Sequence, residues 1–274
     1  MFVVTGATGN VGGEVVTGLV DRGVPVRALV RNPSAVAPVE GVEFVQADLT
    51  DPASARAAMS GAAAVFLLPG YPGLAAAAAA AGARRIVQLS GGSAGSGDGS
   101  NAVTKYLNDT EAEMRDSGLE WTVLRPTAFM TNALRWKDQI QAGDVVRLPF
   151  ADVPLAVVHP RDLAAVAVVA MVESGHQSMV CRPTGPAVLS LEEQVATVGE
   201  SLGRSLRFEA QPNDEARREM LKTTPAPYVA AFFDFYVNGS IDETTVRPTV
   251  DDVTGRPPRT FRDWAAENAH RFAS

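Results

Sequence analysis

Three glycines, each three residues after the last, constrain this chain more than any other feature: Val3-Val4-Thr5-Gly6-Ala7-Thr8-Gly9-Asn10-Val11-Gly12-Gly13. The apolar residues 1–5 read as a buried strand, and residues from about 11 to 21 as a helix. In a strand–turn–helix setting each glycine has a physical role. Gly6 permits the tight turn, Gly9 lets backbone N–H groups approach a pyrophosphate, and Gly12 lets the helix pack close to the strand. Thr8, Asn10 and Val11 then stand at a helix N-terminus, where unpaired N–H groups and the helix dipole favour an anion. A bare glycine turn without a ligand is the alternative, but this triplet has the strand before it and the helix after it that the motif requires.

The rest of the first half repeats strand and helix in turn. Strands are expected at residues 26–30, 42–46, 63–68 and 85–90, and helices near residues 52–59, over the alanine run 75–81, and near 102–117. The strand at 63–68 is continuously apolar, as a strand covered on both faces should be. Such alternation specifies an α/β fold with a doubly wound parallel sheet, a Rossmann arrangement. A smaller C-terminal substrate lobe completes the expected fold. Residues 1–125 and about 151–185 would form the Rossmann core of one NAD(P)-binding domain spanning 1–274, and about 126–150 plus 186–262 the lobe.

Arg31 ends the second strand, about twenty residues beyond the glycine loop, where an NAD-specific site would hold an acidic residue against the ribose 2′-OH. A guanidinium suits a 2′-phosphate, so NADP(H) is expected ahead of NAD(H). A solvated arginine is the bland alternative. Asp48 and Leu49, after the third strand, are candidates beside the adenine, and Asp48 could equally cap the following helix. Leu68 and Pro69 end the fourth strand at the carboxyl edge, where a nicotinamide would lie.

With a net charge of −7 and no basic run, the chain is not expected to grip nucleic acid. A single cysteine, Cys181, excludes an intramolecular disulfide and a multi-cysteine metal site, and no pair of histidines has metal spacing. No stretch is long and apolar enough to span a membrane, and the first strand starts at Met1, so a cytoplasmic monomer or homodimer is expected.

Thr5-Gly6-Ala7-Thr8-Gly9-Asn10-Val11-Gly12, Leu29-Val30-Arg31-Asn32-Pro33, Ala47-Asp48-Leu49 and Arg85-Ile86-Val87-Gln88-Leu89-Ser90 together resemble the NmrA-like branch of the atypical short-chain dehydrogenases. Ser117-Gly118-Leu119-Glu120-Trp121-Thr122-Val123-Leu124-Arg125-Pro126, which resembles the family's sixth strand, and Val158-His159-Pro160-Arg161-Asp162-Leu163-Ala164 extend the likeness downstream. The family contains quinone and azo-dye reductases, aromatic-polyketide tailoring enzymes and non-catalytic redox sensors. Catalytic short-chain dehydrogenases use Tyr-x-x-x-Lys, but here Tyr106 is followed four residues later by Thr110. Ser90, Tyr106 and His159 are therefore only weak catalytic candidates: Tyr106 fits a helix face, and His159 a structural position before a helix that Asp162 would cap. Glu111 is expected to be structural. The segment from Pro69 to Gly82 is shorter than the family's usual one, which implies a more open nicotinamide edge for a broad, flat substrate.

The resemblance also implies that the loop after Arg125-Pro126 lines the substrate cleft. Phe129, Met130 and Asn132 are the pocket candidates, with Trp136 and Phe150 behind them; Phe129 and Met130 could instead be core. Residues 91–101, rich in glycine and serine, read either as a lid or as a solvated linker. Ser190 and Glu193 form a capping box for a helix to about residue 202, stopped by Gly203. The aromatic run at 228–236 either packs on the lobe or closes an aromatic pocket, and a last helix is expected over 261–272. The expected function is NADPH-dependent hydride transfer to a quinone or related flat aromatic acceptor, which needs little more than proximity and orientation. An aromatic-polyketide tailoring enzyme, with an oxygenase among its forms, and an NADP(H)-binding sensor are the alternatives.

Overall fold

The computed structural model describes residues 1–96 and 99–273. Its strands, in chain order, are β1 (Phe2–Val4), β2 (Val26–Val30), β3 (Val42–Gln46), β4 (Ala64–Leu67), β5 (Arg85–Leu89), β6 (Glu120–Leu124), β7 (Val145–Leu148), β8 (Met179–Cys181) and β9 (Arg207–Ala210). Seven of them form one sheet in the order β3-β2-β1-β4-β5-β6-β8, and every pairing is parallel. The order reverses between β1 and β4, which opens a crevice at the carboxyl ends of these strands, where doubly wound sheets bind their ligands.

Helices cover both faces. On one, the Gly12–Asp21, Pro160–Val172 and Thr249–Thr254 helices share a core with β1, β2 and β4 through Val4, Leu19, Phe66, Leu163 and Val250. On the other, the Pro52–Ala58, Leu74–Ala80 and Ala102–Asp116 helices close over Val3, Val65, Ile86 and Met114. A third cluster, built on Met130, Trp136, Ile140, Val195 and Trp264, is the core of the lobe. The lobe also holds a second, two-stranded parallel sheet of β7 and β9. Val250 lies in the first core, so the chain leaves the lobe for the main sheet at Thr249–Thr254 and returns to it at the Phe261–Asn268 helix.

Local chemistry sets the helix ends. Ser190 and Glu193 form the expected capping box of the Leu191–Leu202 helix, which stops at Gly203 in the left-handed conformation (φ 65°). Two expected caps fall elsewhere. The Pro52–Ala58 helix is capped by Asp51, not Asp48, because Asp48 turns its carboxylate onto the N–H and hydroxyl of Thr50 at 2.9 and 2.7 Å. The Pro160–Val172 helix is capped by His159, not Asp162; Asp162 is buried and accepts from the backbone N–H and guanidinium of Arg259. The polyalanine helix has no cap of its own, and the Glu113 carboxylate accepts from the N–H groups of Gly73 and Ala75 at 2.8 and 3.1 Å. The last helical stretch is two pieces, Phe261–Asn268 and His270–Ala273. Among the described residues no helix is long and apolar enough to cross a membrane, and no cluster of His, Cys, Asp and Glu could hold a metal.

Candidate cofactor and substrate site

The glycine loop turns from β1 into the Gly12–Asp21 helix with its backbone folded tightly on itself. Gly6 is in the left-handed region (φ +62°), and its carbonyl accepts from Gly9 N at 2.9 Å. A Cβ on Gly12 would stand 2.2 Å from Gly6 O and 2.7 Å from Gly6 C, both backbone atoms that cannot swing aside. On Gly9 it would meet Gly6 O at 3.2 Å and nothing else within reach. Thr8, Gly9 and Asn10 are exposed, while Val11 and Gly12 are buried, so the loop presents bare backbone to solvent at a helix N-terminus. Thr5 locks the loop to the neighbouring strand: its hydroxyl donates to Phe66 O at 2.9 Å and accepts from Leu68 N at 3.0 Å. Leu68 then packs over Gly6, where a Cβ would stand 2.5 Å from its Cδ1.

Arg31 ends β2 exposed, and its guanidinium makes no hydrogen bond or ion pair among the described residues. Asp48, also exposed, lies close enough to feel its charge; the two Thr50 hydrogen bonds, then Arg31, hold that carboxyl below its usual range. Leu49 is half-buried against the second core. These residues line up along the ends of β1, β2 and β3: exposed loop backbone, then the exposed Arg31 guanidinium and Asp48 carboxylate, then the half-buried Leu49. Pro69 and Gly70 leave β4 above Tyr106, whose ring is 3.7 Å from a Cβ on Gly70.

The Glu111 carboxylate ties the exits of β5 and β6 together through Ser90 and Arg125. Glu111, 1% exposed, accepts from the Ser90 hydroxyl at 2.6 Å, from Arg125 at 2.8 and 2.6 Å and from Arg115 at 2.7 Å. Burial pushes the Glu111 carboxyl up, but the hydrogen bonds from Arg125, Ser90 and Arg115 outweigh it and hold the group below the usual carboxylate range. The Ser90 hydroxyl is thus aimed at Glu111. Tyr106 stands edge-on to Tyr228 (6.4 Å between centroids), and burial, then that neighbour, pushes its hydroxyl up. His159 is 2% exposed; its Nδ1 accepts from Arg161 N at 3.1 Å, and burial lowers its pKa. It lines a surface hollow beside the glycine loop with Gly9, Thr131 and Trp264, and the Val158 backbone before it pairs with Phe129, just after β6.

A cavity of about 460 Å³ opens where the chain leaves β6. Phe129, Asn132, Trp136 and Phe150 line it with Phe232 and Tyr236. Met130 does not: it is 1% exposed in the lobe core. The reason is the period of the Met130–Trp136 segment, a 3₁₀ helix. Three residues per turn bury Met130, Ala133 and Trp136 against the lobe core, the last two still reaching the cavity wall, and leave Asn132 and Arg135 exposed on the cavity side with Phe129. Arg135, exposed and without a hydrogen bond or ion pair among the described residues, puts a positive charge on the wall, whereas Arg147 is neutralised by Glu209 and Glu215, and Glu219 adds a carboxylate. Phe150 holds a left-handed backbone (φ 59°), an uncommon and strained state for an aromatic residue, and its ring packs 5.1 Å from Phe233 and 5.2 Å from Tyr236.

The aromatic run is the Ala226–Tyr236 helix, which packs on the lobe and also lines the cavity. Val229, Phe233 and Phe235 are buried, while Phe232 and Tyr236 face the cavity. Asn101 donates to Asp234 at 3.0 Å and fastens this helix to the glycine- and serine-rich loop before it. Residues 97 and 98 of that loop, read above as a lid or linker, lie outside the described residues.

The NAD(P)H-binding family matches residues 6–173, more than half of the chain. This chain belongs to that family. The NAD(P)H-binding character expected from the sequence holds with it. Over the whole chain and 99% of its relative, it is 42% identical to a (4-alkanoyl-5-oxo-2,5-dihydrofuran-3-yl)methyl phosphate reductase of Streptomyces griseus. It is 31% identical, over the full length of both, to an NAD(P)H azoreductase of Xenophilus azovorans. The NADPH-dependent quinone oxidoreductase of Escherichia coli shares the fold, with a TM-score of 0.79 at 23% identity over 97% of this chain and 99% of that one. Family and relatives make the chain an NAD(P)H-dependent oxidoreductase.

Proposed function

We propose that this chain is an NADPH-dependent reductase that passes hydride to an electron-poor, flat conjugated acceptor such as a quinone. The observation that carries the reading is an aromatic-walled cavity opening at the β6 exit of a sheet whose β1 exit is a glycine cradle. The residues present fit the cofactor: a Cβ would fill the cradle at Gly12, and the exposed N–H groups beside it suit a pyrophosphate. Gly6, Thr8, Gly9, Asn10, Val11 and Gly12 would hold the phosphates, Arg31 the 2′-phosphate, Asp48 and Leu49 the adenine side, and Leu68, Pro69 and Ser90 the nicotinamide side. When bound, the reduced cofactor supplies a hydride. The chain's own part is to orient the acceptor between Phe129, Phe150, Phe232 and Tyr236 and to keep water from it, a task proximity alone can make efficient.

A specific observation favours a second reading within the same chemistry. Arg135 stands on the cavity wall without a counter-ion among the described residues. Together with the phosphate-bearing substrate of the Streptomyces griseus relative, it supports a conjugated acceptor that carries an anionic group. The test is NADPH oxidation, with and without oxygen, against quinones, azo dyes and an alkanoyl-butenolide methyl phosphate. Turnover that Arg135→Ala abolishes for the phosphate alone selects the second reading, and turnover of quinones indifferent to Arg135 selects the first. Turnover that requires oxygen favours the tailoring-oxygenase alternative. Tight NADPH binding with no acceptor reduced makes the protein a sensor.

A further inference from the structure

One buried carboxyl at the carboxyl edge of the sheet has no part in the site as described so far. Glu243 is 7% exposed, and its carbonyl accepts from Ala156 N at 2.7 Å. Its side chain accepts from the Tyr236 hydroxyl at 3.2 Å and from the backbone N–H of Ala128. Its Oε1 is 3.7 Å from where a Cβ on Gly92 would stand. Gly92 follows β5 and Ala128 follows β6, so this carboxyl is wedged between the exits of the two strands beside the cavity. Ala128 and Tyr236 are both cavity wall.

The charges around the pair are few. Asp242 is the charged neighbour of Glu243, and it stays ionised because Thr245 and Thr244 hold it down to about 2. Arg135 faces the pair from the Tyr236 side. Burial, with the Asp242 charge, pushes the Glu243 carboxyl up to about 7 against the hydrogen bonds from Tyr236 and Ala128. Burial, then the Glu243 charge, pushes the Tyr236 hydroxyl far above its ordinary value. Such a hydroxyl does not ionise alone at neutral pH, but it can pass a proton on if it receives one in the same movement.

Resting on the reductase reading above, we propose that Tyr236 donates the proton that completes reduction of the acceptor and that Glu243 is the positioning residue that re-protonates it. Reduction takes up one hydride and one proton. The hydride carries both electrons to an acceptor carbon and leaves negative charge on a conjugated oxygen, and the nicotinamide is oxidised. That oxygen takes its proton from Tyr236; the phenol O–H bond breaks as the product O–H bond forms. Protonated Glu243 gives its proton to the phenol oxygen, so no phenolate is stranded in the apolar wall. With Glu243 protonated, the same contact runs in reverse: the acid donates and the Tyr236 hydroxyl is free to donate into the cavity. Glu243 ends as a carboxylate and regains a proton from water after product leaves, so both side chains are unchanged over the cycle.

The experiment has two readouts. Difference infrared spectra of the cofactor-free protein, taken from about pH 5 to 9, are expected to show a carboxylic acid band titrating near neutrality that is missing in Glu243→Gln. In turnover, kcat is expected to fall as pH rises through the same transition, because the acid form is the competent one. Glu243→Gln, checked for folding by NADPH binding, is expected to give a slower, pH-flat profile. Tyr236→Phe is expected to keep the infrared band and lose kcat by at least about tenfold. A wild-type profile preserved in Glu243→Gln, an unchanged kcat in Tyr236→Phe, or no titrating band that Glu243→Gln removes overturns the relay while the reductase reading stands. NADPH binding with no acceptor reduced at any pH overturns the reductase reading itself, and the relay with it.

Discussion

Gly9 and Gly12 look alike in sequence, yet the structure assigns them opposite consequences on substitution by alanine. At Gly12 the new Cβ would lie 2.2 Å from Gly6 O and 3.0 Å from Thr5 O. An ordinary carbon–oxygen contact is about 1 Å longer than the first of these, and the neighbours are backbone, so the helix must move away from β1. Overpacking of this kind costs about 1–3 kcal/mol, which for a chain of this size is a loss of several degrees in Tm. The shift also carries the helix N-terminus off the phosphate position. At Gly9 the single contact of 3.2 Å to Gly6 O needs only a few tenths of an ångström of relief, and the methyl group instead covers exposed backbone. Gly9→Ala is therefore expected to keep its Tm within about a degree and to weaken NADPH binding by about tenfold or more. Calorimetry paired with NADPH fluorescence titration separates the two. If Gly12→Ala matches the wild type in both Tm and affinity, the reasoning from backbone overlap is wrong.

Three other outcomes follow from the site. Arg31→Asp is expected to reduce NADPH affinity relative to NADH by at least about tenfold, since the guanidinium is replaced by a like charge to the phosphate; paired binding titrations measure the ratio. Glu111→Ala leaves Arg125 buried without its carboxylate and is expected to cost about 3–5 kcal/mol by urea unfolding. Because the Glu111 carboxyl sits below its ordinary range in the folded protein, its contribution is present above the unfolded carboxylate pKa of 4.5 and is lost as pH falls through the lowered folded value. A Tm–pH series should therefore show wild type and Glu111→Ala converging toward acid. Met130→Ala is expected to lose about 2–5 kcal/mol of stability as a core truncation, whereas Asn132→Ala should leave stability alone and raise the acceptor KM; steady-state kinetics and melting of both variants check the inward and outward faces of the 3₁₀ turn.

Much of this architecture is legible in local chemistry. β2 and β3 coincide with their expected limits, and the other strands of the β1–β6 series lie within theirs, because each is a short apolar run bounded by a turn. The capping box at Ser190 and Glu193 is likewise a purely local signal. What escaped is non-local. β8 is three residues long and two of them are exposed, so only its pairing with β6 makes it a strand. β7 and β9 find each other across about sixty residues and form a parallel sheet that no hairpin signal announces. The Met130–Trp136 segment carries a period of three, which the periods of 3.6 and 2 do not reveal, so the sequence alone places Met130 with Phe129 and Asn132 on the cavity side. His159 caps its helix in place of the nearby Asp162 because the backbone N–H and guanidinium of Arg259, 97 residues away in the chain, claim the carboxylate. Glu243 lies in a polar stretch after the aromatic helix; only the folded chain brings it between the exits of β5 and β6.

The most direct test of hydride transfer uses NADPH deuterated at the transferable position, an acceptor from the panel and strict exclusion of oxygen, with the product weighed by mass spectrometry. One deuterium per reduced acceptor is the expected result. NADPH bound at the glycine cradle with no deuterium reaching any acceptor, or consumption only when oxygen is admitted, would contradict it.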